Sequence, residues 1–277
     1  MYKITFLIKL LICIIISTSS INANAQKENN MWTFGYKNGI NFNTNPPTHF
    51  ESEVILSWEG CSSVSDENGN LLFYTDANVI LDANGDAMPN GTGILGNTST
   101  MFQNEGIFGS SSQGVAIAQK PGNPNQYYVF IASSQESRDW EDFPNVSPGY
   151  LRYSIVDMQL NGGLGDVVTG QKNIIIDQDI NEKVTIVQGT GNFYWMISHS
   201  TGVDFKVYRI DNTGISLATH YPGLLTNAYR GGNIKISPDK KKIAHTSISH
   251  IPNNPAVMDT IHRIEIGDFN AVTGVIS

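Results

Sequence analysis

The chain has 277 residues, of which 40% are hydrophobic and only 15% charged, and its formal net charge is −8. It holds 28 Asn, 26 Gly and 11 Pro, nearly a quarter of the whole. So many residues that weaken helix interiors, with so few charges, exclude a helical bundle, a coiled coil and charge-rich disorder.

Residues 1–25 read as a secretory signal peptide. Lys3 lies in a short basic start, and an apolar stretch runs from Ile4 to Ile16 around Lys9. A Ser17-Thr18-Ser19-Ser20 patch and Ala23-Asn24-Ala25 follow, which places cleavage before Gln26. The unbroken apolar run from Leu10 to Ile16 is far too short to span a bilayer. Cys13 lies inside that run, so lipid attachment is not expected there. Loss of the leader removes Lys3 and Lys9 and makes residues 26–277 still more acidic. An acidic surface disfavours nucleic acid, whose binding depends on neutralising phosphates. The densest basic group, Lys240-Lys241-Lys242, reads as a solvated turn. After cleavage Cys61 is the single cysteine, so no internal disulfide forms. It reads as a small buried hydrophobe.

A pattern of short strand, turn and apolar strand then recurs four times. Gly60 to Ser65 leads through Asp66-Glu67-Asn68-Gly69-Asn70 to Leu71–Asp76, and Asp82-Ala83-Asn84-Gly85-Asp86 closes that copy. Gly114–Ala118 turns at Pro121-Gly122-Asn123-Pro124-Asn125 into Tyr127–Ile131, and Leu151–Val156 follows. Lys183–Val187 turns at Gly189-Thr190-Gly191-Asn192 into Phe193–Ile197, and Phe205–Ile210 follows. Asn233–Ile236 turns at Ser237-Pro238-Asp239-Lys240 into Lys242–Thr246, and His262–Ile266 follows. The second strands start near Leu71, Tyr127, Phe193 and Lys242, at spacings of 56, 66 and 49 residues.

Three or four antiparallel strands at such a period predict the blade of a WD40-like β-propeller. One small sheet cannot bury both faces alone, whereas radial stacking buries both. The expected blade units are 51–110, 111–170, 181–220 and 231–277, with a leading strand pair at 31–43. About four blades are expected, as the front part of a larger ring.

Several segments resemble a known family. They are Trp32-Thr33-Phe34-Gly35, the run from Glu59 to Asp76, Met88–Gly96, Lys120–Pro124, Leu151–Met158, Asn161–Asp166 and Ile236-Ser237-Pro238-Asp239. Together they resemble the N-terminal propeller region of large exported surface proteins of gliding bacteria. In that family a signal peptide precedes the propeller, and a type IX secretion sorting domain ends the chain. The resemblance implies an exported protein of the periplasm, cell surface or exterior. This chain has no such sorting domain, so the sequence reads as a fragment. The family offers no catalytic residues to carry over.

Motifs for chemistry are sparse. Gly109-Ser110-Ser111-Ser112-Gln113-Gly114 is not the nucleophile elbow of a hydrolase. His245 and His250 are five apart without a carboxylate pattern, and all six histidines read as satisfied or exposed. Asp66–Asn70 and Asp82–Asp86 place Gly fourth, where a hairpin wants it, rather than sixth as in a calcium loop. No catalytic residue, metal or cofactor is therefore expected. One loop, Ser137–Tyr150, mixes aromatics with acids. Its Trp140, Phe143 and Tyr150 are the candidate partner-binding residues. The expected function is a non-catalytic module that binds a protein or polysaccharide at the cell envelope. The alternative is a propeller glycosidase or lactonase with acids or a metal in its central channel.

Overall fold

The computed structural model describes residues 27–57, 59–96, 111–134, 149–224, 231–250 and 260–277. Five antiparallel sheets are arranged as a five-bladed β-propeller. The first blade is β1 (Met31–Phe34), β2 (Tyr36–Asn41) and β3 (Thr48–Leu56), and the second is β4 (Ser62–Ser65), β5 (Leu71–Thr75), β6 (Val79–Asp82) and β7 (Ala87–Thr92). The third holds β8 (Val115–Gln119), β9 (Gln126–Ala132), β10 (Tyr150–Asp157), β11 (Asp166–Val167) and β12 (Ile174–Gln178). The fourth holds β13 (Ile180–Gln188), β14 (Tyr194–Ser200), β15 (Asp204–Asp211), β16 (Gly214–Ile215) and β17 (Thr219–Pro222). The fifth is β18 (Ile234–Ile236), β19 (Lys242–His250) and β20 (Thr260–Asp268). Among the described residues no helix is long and apolar enough to cross a membrane.

The blade count corrects the expected four. The leading pair is a blade of its own, because β3 pairs with β2 in register His49↔Ile40, Phe50↔Gly39 and Glu51↔Asn38. β3 is polar enough to hide in the sequence. What fixes it is a contact with the neighbouring strand β2. The Phe50 ring lies over Gly39, where a Cβ would sit 2.3 Å from its Cζ. The third blade also runs past residue 170, because β12 returns to pair with β10.

The first strands of successive blades lie side by side: β1 with β4, β4 with β8, β8 with β13, and β13 with β18. Among the described residues four apolar cores sit between the blades, the first joining Ile55 of β3 to Tyr74 and Leu81 of the second blade, and the strand period decides which side chain enters which. In β9, Val129 and Ile131 pack with Phe73, Ile80 and Met88 of the second blade. Tyr128 and Phe130 point the other way and pack with Met196 and Tyr208 of the fourth. In β14, Trp195 and Ile197 pack with Ile234 and Ile243 of the fifth. Each middle blade is thus buried on both faces, which explains its nearly continuous apolar strands.

Turn chemistry sets the register. Asp66 Oδ1 accepts from the N–H groups of Asn68 (2.9 Å) and Asn70 (2.8 Å), and Gly69 takes φ +89°. Asp82 repeats this with Asn84 (2.8 Å) and Asp86 (3.2 Å), with Gly85 at φ +91°. Both carboxylates close their own turns.

Candidate functional site

Two polar regions stand apart from the cores. The first is a pocket of about 680 Å³ at the carboxyl ends of the inner strands β4, β8 and β13. Ile117 of β8 and Ile186 of β13 give it an apolar floor. Tyr127 and Tyr194, at the start of the second strands of the third and fourth blades, form one side. Glu28, Asp66, Gln119 and Gln188 supply its polar groups. The segment before β1 is tied to β4 by a bond from the Ser65 N–H to the Glu28 carbonyl (2.8 Å). That bond brings Glu28 to the pocket.

Burial pushes the Tyr127 phenol up, against a bond with Gln119, and the charges of Glu28 and Asp66 push it further. Burial and then Glu28 do the same to Tyr194. Both phenols are neutral donors at physiological pH. Burial pushes the Asp66 carboxyl up, but the bonds from Asn70, Asn68 and Gly69 outweigh it and hold the carboxyl low. Asp66 is an acceptor here, not a proton donor. The pocket can hydrogen-bond a polyhydroxylated ligand and lay an apolar face against the half-buried Tyr194 ring, while the buried Tyr127 ring packs on Phe73.

The second region lies at the opposite, amino ends of the inner strands, between the fourth and fifth blades. β13 shifts register between Ile180 and Val184, and this irregularity holds Asn181, Glu182 and Lys183. Lys183 is fully buried and its Nζ is 3.0 Å from His245 Nε2. His245 Nδ1 is 2.7 Å from Glu265 Oε1, and Glu265 Oε2 accepts the Leu224 N–H at 2.6 Å. The His199 and His245 rings stack with centroids 4.3 Å apart. His199 Nδ1 donates to the Ser200 carbonyl at 2.7 Å.

These bonds assign the tautomers. Both histidines carry their proton on Nδ1, so both present a bare lone pair at Nε2. That of His245 accepts from Lys183. That of His199 is buried and has no hydrogen-bond partner among the described residues, and neither has the buried Asn181 Oδ1. Burial, then His245, pushes His199 down to about 4. Burial likewise lowers His245, against the bond with Glu265. Burial pushes Lys183 down to about 8. Burial raises the Glu265 carboxyl, but the bonds from His245 and Leu224 outweigh it and hold the carboxyl low. The seam therefore carries an ammonium and a carboxylate joined through a neutral imidazole.

Of the residues singled out from sequence, Trp140 and Phe143 lie outside the described residues. Tyr150 opens β10, opposite Gln178 of β12. Its N–H donates to Ser133 Oγ (2.9 Å), and the Arg152 guanidinium lies 4.2 Å from its ring centroid. That ring is engaged by its own strand. Cys61 is half-buried, donates to the Thr33 carbonyl at 3.2 Å, and is pushed up to about 11 by burial. His49, His220 and His262 are exposed, as expected. His199 departs from the expectation that every histidine is exposed or satisfied. The available signal was a histidine inside an apolar second strand in two successive repeats, at Tyr194–Ser200 and Lys242–His250. Comparison with family models, curated proteins and solved structures returned no match.

Proposed function

We propose that the chain is an exported, non-catalytic β-propeller module that binds a polysaccharide at or outside the cell envelope. The observation that carries the reading is the pocket in which Tyr127 and Tyr194 face Glu28, Asp66, Gln119 and Gln188. Its volume of about 680 Å³ suits one or two sugar rings. Amides and carboxylates can take pairs of sugar hydroxyls, and Tyr194 can cover the apolar ring face. The carboxylates make the ligand neutral or amino-substituted rather than anionic. The leader-like residues 1–25 support export.

Hydrolysis of a glycosidic bond needs a protonated carboxyl as general acid. Asp66, held ionised by its own turn, is unsuited to that role. The test is calorimetric titration of residues 26–277 with neutral and amino-sugar oligosaccharides found by a glycan array. Binding should be lost in Tyr194→Ala and in Gln188→Ala. An array without hits, or affinity unchanged in both variants, overturns the reading. Turnover of any bound sugar, followed by mass spectrometry, overturns its non-catalytic part.

A further inference from the structure

We propose that the seam between the fourth and fifth blades is a site for a divalent transition metal, bound through His199 Nε2 and His245 Nε2 in place of the Lys183 ammonium. His199, His245 and Glu265 can each bring one ring nitrogen or carboxylate oxygen within 4.8 Å of the others, and all three residues are buried. Two independent features point to a cation. The first is the orphaned lone pair at His199 Nε2, a buried acceptor left without a donor. Such a group costs free energy unless something electrophilic meets it. The second is the arrangement behind the rings. Each Nδ1–H is fixed by an oxygen, the Ser200 carbonyl for His199 and the Glu265 carboxylate for His245. That is how metal-ligating histidines are held, with the tautomer set and the basicity of the outer nitrogen raised.

The Lys183 ammonium now meets one of the two lone pairs, 3.0 Å from His245 Nε2. It acts as a resident cation that satisfies half of the donor set. A metal at the edge of the stack, held by both Nε2 atoms, would satisfy both. Imidazole donors suit zinc, nickel and copper, and not magnesium or calcium. The site lies at the amino ends of the inner strands, away from the sugar pocket, so it stands independently of the function proposed above.

The test is titration of the untagged chain with zinc, followed by calorimetry and by thermal unfolding, with magnesium as control. One zinc per chain should bind and raise the melting temperature, and magnesium should do neither. His199→Phe keeps an aromatic ring in the stack and should weaken zinc binding at least about tenfold. Lys183→Met removes the competing charge and should tighten binding. No binding by zinc overturns the proposal. So does affinity unchanged in His199→Phe, which would place the zinc on the exposed His49, His220 or His262. Tighter binding in Lys183→Met tests the site even if His199→Phe fails to fold. Weaker binding there overturns the exchange of ammonium for metal.

Discussion

Lys183 and His245 join two blades, with Nζ of the inner strand β13 donating to Nε2 of the second strand β19 across 3.0 Å. Glu265 on β20 completes the chain from behind the imidazole. A buried pair of this kind is costly to break from one side. Glu265→Ala leaves the ammonium without its carboxylate and should lower stability by about 3–5 kcal/mol. Lys183→Met should cost less. The carboxylate keeps its bonds from His245 and Leu224, and His245 can take up a proton. Urea unfolding of the two variants checks the order. Equal losses would mean that the imidazole does not mediate the pair.

His199 gives stability a dependence on pH whose sign follows from its lowered value. It is held at about 4 in the fold, against about 6.5 unfolded. Between those values the unfolded chain binds the extra proton and the folded chain does not. Its contribution is therefore complete above pH 6.5 and is lost as pH falls through 4. The loss amounts to about 3 kcal/mol. His245 and Lys183 face the same ring and oppose a proton there, whereas Glu265 favours one. His199→Phe should flatten the acid limb of a plot of melting temperature against pH. An unchanged limb would place the acid sensitivity elsewhere.

Gln113 braces three blades from a position just before β8. Its N–H donates to the Glu182 carbonyl at 2.9 Å, and its carbonyl accepts the Val184 N–H at 3.0 Å. Its side-chain amide then pairs both ways with Ile234, donating to the carbonyl at 3.1 Å and accepting the N–H at 2.7 Å. Gln113→Ala strips two bonds from a buried backbone position and should cost about 1–3 kcal/mol. Hydrogen exchange at the Ile234 amide should speed up before that at Val129 in the middle of the third blade. Uniform acceleration would show that the brace acts on the whole ring and not on the fifth blade.

What could be read from sequence divides along the reach of the interaction. The Asp66–Asn70 and Asp82–Asp86 turns are local, because an Asp side chain caps its own backbone four residues on. They were legible. So were strands such as Tyr127–Ile131, whose alternate residues enter different cores. The strand β3 was not, because its place is fixed by Phe50 covering a glycine on the neighbouring strand and by Ile55 entering a core with Tyr74 and Leu81 of the second blade. The seam was not legible either. His199 and His245 meet only because two blades stack, and a histidine in each of two successive second strands marks the positions without encoding the approach. The pocket likewise gathers Glu28 and Gln188 from distant parts of the chain.

The sugar pocket makes an electrostatic prediction that needs no ligand. Glu28 raises both phenols, and burial comes first in each case. Tyr127 and Tyr194 should therefore ionise later than free tyrosine in an alkaline titration followed by ultraviolet difference absorption. Glu28→Gln removes the nearby negative charge and should bring Tyr194 down toward its ordinary value, with a smaller change at Tyr127. Tyr194→Phe keeps the ring but deletes its hydroxyl, and should cost sugar binding about fivefold, the worth of one hydrogen bond. Tyr194→Ala deletes the stacking face as well and should cost more. If the ligand is a neutral sugar, its affinity should hold steady as salt is raised, because screening weakens charge pairs and leaves stacking and neutral hydrogen bonds in place. A steep fall with salt would instead mark a cationic ligand drawn by Glu28, Asp66 and Glu67, and would move the assignment from neutral to amino sugars.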